Sequence, residues 1–135
     1  MLPLLAIRYE AHTVVELSGS MIIEIEQQDS ICILHCRGRF VSGADADYMQ
    51  AKIEEIRRLK CKRVLADFRE VQSIGSMGLT FIVAVYTAVV KDSGGRFVVA
   101  GALPFVRKAL DLTRLSSVVS VAEDTASGLA ALRSE

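Results

Sequence analysis

Val64-Leu65-Ala66-Asp67-Phe68-Arg69-Glu70-Val71, running on into Ser73-Ile74-Gly75-Ser76-Met77-Gly78-Leu79, sets the architecture of this chain. Arg63 to Phe68 is a short, almost wholly apolar run that reads as a buried strand. Arg69 to Gly75 reads as a loop. From Ser76 to Lys91 the apolar residues Leu79, Phe81, Ile82, Val83, Val85, Tyr86, Val89 and Val90 cover nearly every side of one helix. Asp92-Ser93-Gly94-Gly95 stops that helix with glycines able to take positive φ. Arg96 to Ala100 follows as another buried strand. Strand, helix and strand in this order imply a crossover and parallel pairing.

Upstream, Met21 to Gln27 alternates Ile23 and Ile25 with Glu24 and Glu26, the period of a half-buried strand. Gln28 to Ser30 turns the chain into a second strand, Ile31 to Arg37, and so short a link predicts a hairpin. Gly38 to Ala44 reads as a loop with Ser42 or Gly43 at the helix start. Asp45 to Lys60 then spaces Met49, Ile53, Ile56 and Leu59 at helical intervals against a charged opposite face.

Downstream, Pro104 suits the first turn of a helix reaching Leu112, with Phe105, Val106, Ala109, Leu110 and Leu112 assigned to the core. Ser117 to Val121 reads as a last strand and Glu123 to Arg133 as a closing helix. The sum is an α/β domain: an N-terminal β-hairpin, then alternating strands and helices, giving a mixed sheet of about five strands with about four helices. The domain is expected to span 21–135. Ser18-Gly19-Ser20 marks a boundary, which makes 1–20 an extension, disordered or not native, with Met21 as the alternative first residue.

Composition narrows function. Hydrophobic residues make up 51% of the 135, ample for one core. Lys plus Arg number 16 and Asp plus Glu 16, so the net charge is zero and nucleic acid is not an expected partner. The cluster Arg57, Arg58, Lys60, Lys62 and Arg63 falls where a helix ends, where cations suit the dipole. Residues 1–20 lack the charged start of a signal peptide, and the uncharged run Met77 to Val90 is too short to span a bilayer. Three cysteines, Cys32, Cys36 and Cys61, form an odd set without a secretory signal, which points to a reducing, cytoplasmic setting and buried free thiols. Cys32 and Cys36 lie roughly 13 Å apart along a strand, too far to share a metal. No cofactor or metal is expected.

The opening segment resembles the signature of STAS domains, the anti-sigma factor antagonist family. That pattern is a strand ending in Asp-Leu, a short loop, then Asp-Ser-Ser-Gly-Leu opening a helix. The Gly-Gly turn with the strand Gly95 to Gly101, the run Pro104-Phe105-Val106-Arg107-Lys108-Ala109-Leu110 and the acidic Glu123-Asp124 continue the likeness across Met21 to Arg133. Gly75 stands where the family has Asp, Met77 where it has a second Ser or Thr, and Arg114 where glycine is usual. The resemblance implies a regulatory module and not an enzyme. It implies phosphorylation at Ser76 by a partner that is both serine kinase and anti-sigma factor, a phosphatase as a further partner, and a contact surface of Ser73, Gly75, Ser76, Met77, Gly78 and Thr80. An alternative role within the family is a subunit that is never phosphorylated, such as the small partner of an ABC transporter ATPase in lipid traffic.

The residues themselves leave Ser76 two roles, a helix cap or a site where the helix dipole and free amides receive a phosphoryl group. A hydrolase nucleophile is excluded by Ile74 where an elbow needs glycine and by the absence of any histidine after Ser76. Gly75 and Gly78 lack the Lys-Ser or Lys-Thr of a phosphate loop. The apolar sides of the second helix must be covered by the first helix or by another protein.

Overall fold

The computed structural model describes residues 21–41 and 43–134. The extension expected at 1–20 and the helix start at Ser42 lie outside the described residues. Strand β1 (Ile22–Gln28) turns at Asp29, which takes φ 57°, into β2 (Ile31–Phe40). A short Asp tolerates that left-handed backbone better than most residues do. A 3-10 turn, Gly43–Asp45, leads into α1 (Ala46–Leu59). After α1 come β3 (Arg63–Ile74) and α2 (Ser76–Tyr86), whose last turn, Thr87–Lys91, widens to a π-helix. Then follow β4 (Arg96–Ala100), α3 (Pro104–Leu112), β5 (Ser120–Ala122) and α4 (Thr125–Arg133).

The sheet runs in the order β1-β2-β3-β4-β5, antiparallel between β1 and β2 and parallel elsewhere. Helices α1, α2 and α3 cover one face over a core that includes Leu34, Phe40, Ile53, Phe68, Phe81, Val85, Val106 and Leu110. On the other face α4 sets Leu132 against Ile31, Ile33, Leu65, Val98 and Ala100. The five-stranded mixed sheet with four helices is the expected α/β architecture.

Local expectations change in four places. Residues 69–75 are not a loop, because β3 continues to Ile74. Its register against β2 slips twice, between His35 and Arg37 and between Gly38 and Arg39. Each slip leaves one extra residue on β3, so Phe68 and Val71 both reach the core although three positions apart. For the same reason β2 extends past Arg37 to Phe40. The last strand is shorter than expected, since Leu115–Ser117 is a 3-10 turn and β5 begins at Ser120. The closing helix starts two residues late, because Asp124 serves as N-cap with Ser127 in a reciprocal capping box.

The expectation of three free thiols is corrected. Cys32 and Cys61 form a disulfide with Cα atoms 6.1 Å apart, tying the start of β2 to the segment before β3. Only Cys36 is free, and it is buried. Burial first, then the Asp67 charge, pushes its thiol well above the usual range, so it stays an unreactive core group. The crosslink closes a loop of 29 residues. Reduction should cost about 2 kcal/mol, the low end of the usual range, because both thiols remain packed side by side when reduced. Urea melts with and without dithiothreitol check this, and superimposed curves would refute it.

Two members of the basic cluster at the end of α1 have structural contacts. Arg57 pairs with Asp92 at 3.0 Å and Lys62 Nζ donates to the Ser93 carbonyl at 3.0 Å, joining the ends of α1 and α2. At the sheet edge the Tyr48 hydroxyl accepts from Ile23 N–H at 2.8 Å and donates to its carbonyl at 3.1 Å. One side chain thereby satisfies an edge-strand residue that lacks a neighbour.

Candidate functional site

Strand β3 delivers its chain to the carboxyl end of the parallel sheet, and Gly75 turns it into α2. Gly75 N–H donates to the Phe40 carbonyl at 3.0 Å, and its own carbonyl accepts from Leu79 at 3.0 Å. Gly75 is therefore the N-cap and Ser76 the first helical residue; no side chain caps this helix. The capping role considered for Ser76 is thereby corrected. The first turn of α2 holds no acidic residue, and Gly75 offers its amides no side-chain acceptor. An added anion at Ser76 would sit where the helix carries partial positive charge.

Ser76 and Thr80 are exposed, and Ser73, Gly75 and Met77 are half-buried. Val83, one turn beyond Thr80, is exposed as well, and so is Val41. Val41 lies against Gly75: a Cβ there would stand 3.3 Å from Val41 Cγ1. An Asp at this position would have to displace that valine. The outer stripe of α2 thus presents a hydroxyl ringed by modest apolar surface, while α1 packs along its flank.

Gly78 departs from the expected contact surface, for it is buried and has no side chain to offer. A Cβ there would fall 2.4 Å from Ile74 Cγ1, 2.8 Å from Phe40 Cβ and 2.9 Å from the Phe40 carbonyl. Glycine at 78 is what lets the first turn of α2 lie directly on Phe40, and so fixes the height of Ser76 above the sheet.

The face opposite α2 carries a second polar group of residues. Arg69 donates to Asp67 through Nη2 at 2.8 Å, Nε at 3.0 Å and its backbone N–H at 3.1 Å. His35 bridges Glu26 at 2.7 Å and approaches Asp67 at 3.8 Å, and Arg37 joins Glu24 at 3.2 Å to Glu70 at 3.8 Å. Glu24, His35, Arg37, Asp67, Arg69 and Glu70 line a depression of about 280 Å³. Carboxylates outnumber the two arginines here, and no group of three or more His, Cys, Asp or Glu side chains that could hold a metal ion occurs among the described residues. Periodicity placed His35 in a strand, but the Asp67–Arg69 lock was hidden because Arg69 was read as part of a loop, whereas β3 continues through it and sets the two on one face at i and i+2.

Burial alone would raise the Asp67 carboxyl, but the Arg69 hydrogen bonds and charge, helped by His35, hold it below its ordinary value. A lowered carboxylate contributes stability above its unfolded pKa and loses it as pH falls through the folded value. Arg69→Ala should therefore cost about 1–2 kcal/mol at neutral pH and almost nothing at an acid pH where Asp67 is protonated. Urea titrations at both pH values test this; an equal loss at both would assign Arg69 a packing role instead.

A sequence model of the STAS domain matches residues 22–128. Among curated proteins none matches the sequence. Solved structures share the fold. An anti-sigma factor antagonist from Mycobacterium paratuberculosis superposes with a TM-score of 0.75 at 23% identity, over 85% of this chain and 96% of that one. The unphosphorylated anti-sigma factor antagonist SpoIIAA superposes with a TM-score of 0.68 at 13% identity, over 84% and 98%. The same Bacillus cell-fate determinant in its phosphorylated form gives 0.63 at 13%, over 83% and 100%.

Proposed function

This chain belongs to the STAS domain family, and from that premise we propose that it is an anti-sigma factor antagonist switched by phosphorylation at Ser76. In the unmodified state the turn of Ser73, Gly75, Ser76 and Met77, with Thr80 behind it, docks on an anti-sigma factor that is also a serine kinase, and the sigma factor is released. Phosphate transfer to Ser76 adds about −1.5 to −2 charge to that contact and ends it; a phosphatase restores it. The chain contributes no catalytic group of its own. Its family points to the cytoplasm, although the Cys32–Cys61 bond removes the free-thiol argument for that location; no helix among the described residues is long and apolar enough to cross a membrane.

One observation carries the reading: Ser76 stands exposed in the first turn of α2, after a glycine N-cap, with exposed Thr80 one turn on and exposed Val41 against Gly75. An interface hydroxyl is cheap to bury, whereas a dianion there must be matched or desolvated. Incubation with the cognate kinase and ATP, followed by mapping of the modified residue, should place the label on Ser76. Absence of label there refutes the switch.

Gly75 and Met77 also support a second reading, a constitutive assembly subunit using the same surface without modification. Co-purification with a transporter ATPase in place of a kinase, together with an unlabelled Ser76, would be its result.

A further inference from the structure

We infer that residues 103–118 form a second docking surface, one that receives an acidic polypeptide segment bearing apolar side chains. Six large hydrophobic residues stand exposed among the described residues. Val41 lies by the Ser76 turn and Val83 two turns further along α2; the other four, Leu103, Phe105, Leu112 and Val118, fall within this one stretch. Phe105 and Leu112, expected in the core from their apolarity, each keep 74% of their surface in solvent. Val106 and Leu110 fill the buried side of α3 instead. Phe105 and Leu112 lie two turns apart on the outer side, with Lys108 between them. A helix resting on a sheet needs a single apolar stripe, so this second one is not used in packing among the described residues.

Charge indicates the occupant. The stretch holds Arg107, Lys108 and Arg114 against Asp111 alone, three cations minus one anion, in a chain of net charge zero. Asp111 is already engaged by Arg107 at 3.4 Å and by the Ser116 hydroxyl at 2.7 Å. Lys108 and Arg114 are exposed beside the apolar pair. Arg114 holds φ 63°, a left-handed backbone that glycine would adopt with less strain, so the guanidinium is kept at a cost in stability. Next to this face, Val83, Tyr86, Thr87 and Lys91 of α2 oppose Leu115 and Val118 across a groove of about 250 Å³. That volume lies below the usual small-molecule pocket and suits one or two aliphatic side chains.

A carboxylate-rich segment with leucine-like anchors matches both features. Two-fold pairing with another copy would set Lys108 and Arg114 against themselves. A bilayer would find only Phe105 and Leu112 on a nine-residue helix, too little to lie in the interface. The inference does not depend on Ser76 being modified.

The test is fluorescence anisotropy with a labelled synthetic amphipathic helix of leucine and glutamate, and its counterpart with lysine for every glutamate, joined to amide chemical-shift mapping. The acidic peptide should saturate and shift amides of 103–118 and of Val83, and the lysine peptide should bind about tenfold more weakly or worse. K108E/R114E should reverse that preference, and F105S/L112S should weaken the acidic peptide about tenfold without lowering the melting temperature. No binding by the acidic peptide, binding mapped elsewhere, or equal affinity for both peptides overturns the proposal. So does a concentration-dependent dimer abolished by F105S/L112S, which would make a second copy the occupant. Sedimentation with phosphatidylglycerol vesicles, lost in the same variant, would overturn it in favour of a lipid surface.

Discussion

Ser76→Asp should lower the affinity of this domain for its kinase partner about a hundredfold while leaving the melting temperature within about 2 °C of the parent. The two halves of this expectation come from different sides of one helix end. Within the monomer, a carboxylate at the first residue of α2 faces a terminus with no side-chain cap and no acidic neighbour, where negative charge is stabilising by about 0.3–1 kcal/mol. At the interface the same carboxylate replaces a neutral hydroxyl, and its desolvation weakens the contact unless a cation meets it. Ser76→Ala should keep binding and lose only the response to ATP. Isothermal titration of the three proteins against the kinase separates these outcomes; undiminished binding by Ser76→Asp would mean that the turn lies outside the interface.

Phe40→Ala should destabilise the domain by about 3–5 kcal/mol, a large part of the 5–15 kcal/mol that holds a domain of this kind together. Phe40 is fully buried at the end of β2. Its ring centroid lies 5.7 Å from Phe68 at a tilted angle and 5.8 Å from Phe81 edge to face. Its carbonyl holds Gly75, and its Cβ and carbonyl form the floor on which Gly78 rests. Truncation empties the centre of the core directly beneath the Ser76 turn, so partner affinity should fall together with stability. Phe40→Leu, which refills part of the space, should lose roughly half as much. Urea unfolding measures both, and a cost for Phe40→Ala below about 1 kcal/mol would show that the core closes around the gap.

The elements were legible wherever one periodicity ran unbroken. The apolar sweep from Leu79 to Val90 marked α2, and the alternation of Ile23 and Ile25 with Glu24 and Glu26 marked β1. Legibility failed where the physics is long-range. Arg69 and Glu70 stand side by side and break any alternation, so the continuation of β3 was hidden; only pairing with β2 shows that each slip adds one residue and brings Val71 back to the core. Cys32 and Cys61 meet because β2 and β3 start at the same edge of the sheet, with Ile31 opposite Arg63, a register that spacing along the chain does not contain.

On α3 the apolar residues 105, 106, 109, 110 and 112 are spread around much of the helix, so apolarity alone did not tell Val106 and Leu110 from Phe105 and Leu112. The position of Ser76 could be read as a strand-to-helix turn, but its exposure could not. That depends on Gly78 seating the helix low on Phe40, so that Gly75 becomes the cap and the hydroxyl clears the surface.

In the proposed switch, charge at Ser76 governs association. Calorimetric titration of the kinase against unmodified protein and against protein phosphorylated at Ser76 alone decides the matter. The predicted result is tight binding by the first and an affinity on the order of a hundredfold lower for the second. Indistinguishable affinities for the two forms would contradict it.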